Sequence, residues 1–135
     1  MDVVKLNIII NQVKDIINES LAVLHIESTN ENFRKRVHYS LSTKIADSLG
    51  SNSILIAYGP VEVASFQYLL KNNCAIVIGE DDDFLSKLLL LKNLDEIEQI
   101  KAEAHNLFKK NHSSFSNSKI IQHVIDNCLN GTKAD

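Results

Sequence analysis

The predicted start of one helix carries three polar residues in a row, Ser42, Thr43 and Lys44. The first turn of a helix presents unpaired backbone N–H groups and a partial positive charge, so this position can hold a phosphate. Lys44 would add a full positive charge. Plain N-capping followed by an exposed lysine explains the same pattern without a ligand. Asp47 lies three residues after Lys44, which suits either contact with a ligand or an intrahelical ion pair.

Two further candidates, Glu27 and Gly59, each follow a short apolar segment. The carboxylate of Glu27 can accept two hydrogen bonds from sugar or ribose hydroxyls, or it can simply face solvent at a strand end. Gly59 lies in a turn that matches neither G-x-G-x-x-G nor G-x-x-x-x-G-K-[ST], so the sequence contains neither a dinucleotide fingerprint nor a P-loop. His25, inside the apolar segment before Glu27, is predicted to be a core histidine rather than a catalytic base.

The acidic run Glu80-Asp81-Asp82-Asp83 precedes the apolar segment FLSKLLLL. Carboxylates at a helix start are stabilised by the helix dipole, so capping is favoured over a metal site. The histidines show no metal-ligand spacing and Cys74 and Cys128 form no CxxC pair, so no metal is expected and both thiols should be reduced and mostly buried. No G-x-S-x-G elbow is present, which leaves covalent catalysis without support.

A chain of 135 residues with 44% hydrophobic and 23% charged residues fits one globular domain. Its net charge of −3 argues against nucleic acid as a partner, although the cluster Arg34-Lys35-Arg36 can meet one phosphate locally. No apolar run approaches the roughly 20 residues that cross a bilayer, and the first residues lack the pattern of a signal peptide. A cytoplasmic location is therefore expected.

Short apolar segments alternate with helical patterns as far as residue 78. The segments of strand length are VKLNIII, LAVLHI, SILIAY and CAIVI, at 4–10, 21–26, 53–58 and 74–78. A long loop is predicted after the second strand, a helix is predicted to begin at Pro60, and three helical segments follow the last strand. These patterns predict an α/β fold, a Rossmann-like three-layer sandwich with a parallel sheet of about four strands and a C-terminal helical tail. Ligands of such sheets bind beyond the carboxyl ends of the strands.

The block from Tyr39 to Leu69 contains S-x-S-T-K-I, then a short strand, A-Y-G-P and V-A-S. Together with INESLAVLHIES, DDDFLSKLLLL and NLFKKNHSSFSN, it resembles the C-terminal, nucleotide-sugar-binding half of glycosyltransferases with the two-lobed GT-B fold. The closest resemblance is to bacterial members of the group-1 (family 4) type that build surface polysaccharides. It covers roughly residues 4–130.

The resemblance implies roles for the candidate residues. Glu27 would touch the donor sugar or its phosphates, Asp47 would bind the ribose hydroxyls, and Ser42, Thr43 and Lys44 would face the donor beside the turn at Gly59. The spacing of Glu27 and Asp47 is wider than in the common Glu-x7-Glu motif of the family. Members generally work without a bound metal, so the resemblance implies a nucleotide diphosphate sugar as substrate and no cofactor.

The resemblance also implies what acts with the chain. Residues 1–135 would form a single donor-binding domain of a hexosyltransferase, inactive without a separate lobe that binds a glycan or lipid-linked acceptor. The full enzyme would be cytoplasmic and at most peripheral to the inner face of the membrane. An exposed sheet edge would favour a homodimer. The alternative hypothesis is a non-catalytic α/β module that binds a ligand or regulates a partner.

Overall fold

The computed structural model describes the backbone of residues 12–131 and the side chains of residues 12–129. Strands alternate with helices as far as the third strand, and helices follow it. In chain order the elements are α1 (12–19), β1 (Ala22–Ile26), α2 (Glu31–Val37), α3 (Thr43–Leu49), β2 (Ile54–Tyr58), α4 (Ala64–Asn72), β3 (Ile76–Ile78), α5 (Phe84–Leu88), a 3₁₀ helix (Leu89–Lys92), α6 (Leu94–Asn111) and α7 (Ser114–Gly131).

The described strands form one parallel sheet in the order β1-β2-β3. Ile26 lies opposite Tyr58, and Tyr58 lies opposite Ile78, so the three strands end at the same edge. Parallel pairing and the α/β class are confirmed. The predicted first strand, 4–10, lies outside the described residues.

Both faces of the sheet are covered because side chains along a strand alternate between its two sides. On one face, Leu55 and Ala57 of β2 pack against α3, α4 and the second half of α6, in a cluster that includes Ile45, Phe66 and Leu107. On the other face, Ile54, Ile56, Ile76 and Ile78 pack against Ile97 of α6 and leucines of α5 and the 3₁₀ helix. This arrangement is compatible with the predicted three-layer sandwich and explains the continuous apolar run of β2.

Three local predictions differ from the structure. The segment after β1, predicted as a long loop, contains α2, which begins because Asn30 accepts a hydrogen bond from the backbone N–H of Asn32. The helix predicted from Pro60 begins at Ala64, after a turn in which Val63 N–H donates to the Pro60 carbonyl. The first of the three helical segments predicted after the last strand is divided into α5 and the 3₁₀ helix. Within residues 12–131, no helix is both long and apolar enough to cross a bilayer.

Candidate functional site

Glu27 and Gly59 meet at the carboxyl ends of β1 and β2. Glu27 N–H donates to the Tyr58 carbonyl at 3.1 Å, and Gly59 N–H donates to the Ile78 carbonyl at 3.1 Å. Gly59 has a φ of +151°, and a Cβ placed there would lie 3.0 Å from the carbonyl oxygen of Glu27 and 3.1 Å from Cζ of Phe66. Only glycine therefore combines this backbone conformation with so close an approach to Glu27.

His25 contacts the carboxylate of Glu27 from the interior of the protein. Its Nε2 lies 3.2 Å from Oε1 of Glu27, although the two groups are not aligned as a hydrogen bond. His25 is only 8% exposed, which confirms the prediction of a core histidine. Burial lowers the pKa of His25 below its usual value; the Glu27 carboxylate acts in the opposite direction, and the Lys44 ammonium group lowers it further. Neutral His25 is therefore the favoured form beside Glu27.

Glu27, Ser42 and Thr43 line one hollow of about 290 Å³, together with Val37, Ser40 and Leu41. Ser42 is the N-cap of α3, yet its side chain makes no capping hydrogen bond. Lys44 is exposed, and its charge is near enough to His25 to affect that pKa. The structure thus brings Glu27 together with Ser42 and Thr43 around one hollow, and Gly59 lies directly against Glu27.

A buried serine that the sequence analysis did not select fixes the loop before α3. The Ser65 hydroxyl, in α4, donates to the Ser40 carbonyl at 3.1 Å and accepts from the Ser42 backbone N–H at 3.1 Å. Ser65 is 2% exposed. Its position on the apolar side of α4, between Val63 and Phe66, is the sequence feature that could have identified it.

Asp47 lies elsewhere. Four residues after Thr43 on α3, it is about 6 Å farther along the helix axis from the end that meets Glu27. Asp47 lines a different hollow, of about 210 Å³, with Lys14, Asn18 and Ser51 among its neighbours. In this structure Asp47 and Glu27 do not share a hollow.

Arg34 joins three segments at the same edge of the sheet. From α2, its Nη1 lies 2.8 Å from Oε1 of Glu62, and its Nη2 lies 2.6 Å from Oε2 of Glu80. Nη2 also donates to the Thr29 carbonyl at 3.1 Å. Two carboxylates thus balance the arginine that the sequence analysis considered only as a local phosphate contact. Glu62 follows β2 and Glu80 follows β3, so the sequence gives no short-range pattern for this arrangement.

A larger hollow of about 590 Å³ adjoins Arg34 on the outer side of α2. Tyr39, 91% exposed, lies at its rim next to His38, whose ring meets the tyrosine ring edge to face at 4.5 Å. The hollow also carries charges of both signs, from Glu31, Lys35 and Glu62 in addition to Arg34. It is open to solvent beside the loop that leads to Ser42.

The acidic run is used locally. Asp83 caps α5 by accepting hydrogen bonds from Leu85 N–H at 3.1 Å and Ser86 N–H at 3.4 Å, which confirms the capping prediction. The hydrogen bonds from Ser86 lower the pKa of Asp83. Asp82 accepts from Gly79 N–H at 2.8 Å. Across the part of the chain that the structure describes, no three His, Cys, Asp or Glu side chains are grouped to hold a metal ion.

The two cysteines have different environments. Cys74 is buried, and burial raises the pKa of its thiol to about 11, so it is inert as a nucleophile near neutral pH. Cys128 is exposed on α7, so the prediction of burial is wrong for this residue.

Comparisons with models of known protein families, with characterised proteins and with solved structures give no significant match to this chain. The resemblance to GT-B glycosyltransferases therefore stays a hypothesis that depends on the sequence motifs.

Proposed function

We propose that this chain is a donor-binding part of a glycosyltransferase and binds a nucleotide diphosphate sugar at the carboxyl ends of β1 and β2. The observation that supports this proposal most directly is the hollow that Glu27 shares with Ser42 and Thr43 at the start of α3, with Gly59 lying against Glu27. This edge of a parallel sheet is where ligands of α/β proteins bind.

The proposed roles follow from the chemistry of each group. The Glu27 carboxylate accepts hydrogen bonds from sugar hydroxyls, and Gly59 allows the end of β2 to lie close to Glu27. Lys44, with the hydroxyls of Ser42 and Thr43, contacts the diphosphate. In the transfer reaction, charge builds up on the leaving diphosphate, and a cation already in place stabilises that charge. No metal cofactor is part of this proposal.

The size of the hollow limits how much of the donor it holds. At about 290 Å³, it is at the small end of ligand pockets, which span about 300–1,000 Å³. In this proposal it takes the sugar and diphosphate, and the base extends beyond it. A separate acceptor lobe would complete the cleft in a cytoplasmic enzyme, bind a glycan or lipid-linked acceptor, and act at most at the periphery of the membrane. We therefore expect the chain alone to bind donor weakly and to be inactive.

Isothermal titration with UDP, GDP and ADP and with their glucose conjugates tests the proposal. We expect at least one pair to bind with a Kd of about 0.1–5 mM. Glu27→Gln should weaken binding of the sugar conjugate about tenfold, because a hydrogen bond to a charged group is lost, and should leave binding of the free diphosphate unchanged. Lys44→Met should weaken binding of both the sugar conjugate and the free diphosphate.

Lys101→Met is the matched control for Lys44→Met, because Lys101 lies on α6 in an ion pair with Glu98, away from Glu27. The Lys101→Met variant should bind both ligands with the affinity of the unsubstituted protein. The proposal is refuted if no ligand of the panel binds at about 10 mM, far above the expected dissociation constants. Equal losses from Lys44→Met and Lys101→Met would mean that binding depends on net charge alone.

The second candidate function is a non-catalytic interaction module. One observation favours it: the side chains of residues 117–129 on α7 are all exposed, including several large apolar ones. Absence of nucleotide binding combined with association through α7 would favour this alternative.

A further inference from the structure

The last helix, α7, has an apolar side that nothing described in this chain covers. Every residue from 117 to 129 is exposed. Five large aliphatic side chains are exposed by 46–64% and are called here the α7 stripe: Ile120, Ile121, Val124, Ile125 and Leu129. They recur at intervals of three and four residues, so they lie along one side of the helix.

The opposite side of α7 is polar, and its groups interact with one another. Gln122 donates to Asp126 at 2.9 Å, and the side chains of His123 and Asn127 are 3.1 Å apart. The Lys119 ammonium lies 4.3 Å from the centre of the Phe115 ring. The charged groups of this helix, within the described residues, therefore point away from the stripe, which carries no charge that would repel a second copy.

The composition of α7 would make it only marginally stable as an isolated helix. Isoleucine and valine have below-average helix propensity, and isolated helices of this length are marginal in water. The helix α7 contacts α6, and from residue 117 to residue 129 every described side chain of α7 is exposed. Burial of the stripe would supply stabilisation that the intrinsic propensity of these residues does not.

The stripe has a sequence symmetry that suits self-association. Residues 119–126 read K-I-I-Q-H-V-I-D, which is a palindrome of charged, apolar, apolar and polar positions. Consider a two-fold axis on the stripe side of α7, at the level of the midpoint between Gln122 and His123 along the helix. It would place Ile121 of one copy opposite Val124 of the other, and Ile120 opposite Ile125. An isologous interface requires this kind of self-complementary patch.

We propose that α7 is a homodimerisation helix, in which two copies of this chain pair antiparallel through the α7 stripe. The available area is adequate for a weak dimer. Five side chains that each expose on the order of 100 Å² would bury about 500 Å² per copy, or about 1,000 Å² in total, at the lower limit for specific interfaces. The dimer should therefore dissociate in the micromolar range. This proposal does not depend on the proposed donor site.

Sedimentation velocity of the full chain, from about 5 to about 500 µM, tests the proposal. We expect a reversible monomer–dimer equilibrium. Ile121→Asp should weaken it at least about tenfold, because it buries unpaired carboxylates near the two-fold axis. The control is His123→Asp, on the polar side of α7 and with the same change in formal charge. It should leave the monomer–dimer equilibrium unchanged. Ile121 is 59% exposed, so circular dichroism of the monomeric variant should remain that of a folded domain.

Hydrogen exchange of the unsubstituted chain gives a second measurement that needs no variant. Protection of amides 118–129 should rise with protein concentration, while protection of β2 should not change. Three outcomes would overturn the proposal. The first is a monomer at every concentration, which would assign the stripe to another protein or another lobe. The second is a dimer that Ile121→Asp does not weaken, and the third is a dimer that Leu24→Lys dissociates instead, which would place the interface at the β1 edge of the sheet.

Discussion

At the end of β1, a buried imidazole and a carboxylate form a pair of polar side chains, His25 and Glu27. His25 lies within β1, and Glu27 is the first residue after that strand. Because the ring is mostly surrounded by protein, including Phe66 at 6.1 Å between ring centres, its charged form is disfavoured despite the nearby carboxylate. The protonation state of His25 therefore couples the stability of the fold to the candidate site.

We expect His25 to make the protein less stable in mild acid. Its pKa is lowered in the folded state, so the unfolded chain takes up a proton first as pH falls below the ordinary value of 6.5, and stability declines until the folded-state pKa is passed. His25→Gln cannot be protonated. Its melting temperature should therefore fall less than that of the unsubstituted protein between about pH 7 and about pH 5.

The exposed His105 on α6 provides the control for this measurement. His105→Gln should retain the pH dependence of the unsubstituted protein. If His25→Gln and the unsubstituted protein lose stability in parallel, His25 is not the group that titrates.

Gly59 makes a second prediction at the residue scale. Gly59→Ala places a methyl group 3.0 Å from the Glu27 carbonyl oxygen in a backbone conformation of positive φ. We expect a loss of about 2–3 kcal/mol in the free energy of unfolding, measured by urea titration. Gly79→Ala is the comparison, because its new methyl group meets side chains and no backbone, Cγ1 of Val61 at 3.0 Å and Oδ2 of Asp82 at 3.5 Å, and Gly79 has no positive φ. A cost for Gly59→Ala no greater than for Gly79→Ala would contradict this account.

At the scale of elements, Arg34 is the connection between α2 and the ends of β2 and β3. The helix α2 has no buried residue, so its position depends on polar contacts more than on packing. Arg34 supplies two of these through Glu62 and Glu80, from a side chain that is 30% exposed. The loop from α2 to α3, which carries the candidate site, is thereby held at both ends, by Arg34 at the ends of β2 and β3 and by Ser65 of α4.

Arg34→Met should loosen α2 with only a modest effect on global stability. We expect a loss of about 1–2 kcal/mol, because two partly exposed ion pairs disappear and two carboxylates remain close together. Amides 29–38 should exchange faster, as measured by hydrogen exchange. Lys35→Met removes the exposed pair with Glu31 and should cost only a few tenths of a kcal/mol. Unchanged exchange at 29–38 in Arg34→Met would show that other contacts hold α2.

The element pattern also shows how far local sequence was informative. The strands at 22–26, 54–58 and 76–78 were predictable because each lies in a short run of mostly apolar residues. The helix α2 was not, since ENFRKRV has no apolar periodicity and forms around an Asn30 cap and the Arg34 contacts. The break between α5 and the 3₁₀ helix was hidden because the leucines of 88–91 satisfy a helical pattern of either pitch.

On the scale of the whole molecule, the two apolar clusters share β2, so we regard the sheet and the helices over it as one folding unit. The outer strand β1 is less protected than β2. Leu24 and Ile26 on its second face are 56% and 61% exposed. The predicted homodimer through the sheet edge stays a prediction, and the Leu24→Lys measurement separates it from association through α7.

The sequence alone determined the α/β class, the parallel sheet and the individual polar candidates, because apolar periodicity and turn residues act over a few neighbouring positions. Only the tertiary structure decided which candidates meet: Glu27 with Gly59 and Ser42, but Asp47 in another hollow. Parallel strands bring residues more than thirty positions apart to one edge. The same long-range geometry pairs Arg34 with Glu62 and Glu80 and leaves the α7 stripe exposed among the residues that the structure describes, and no local pattern contains that information.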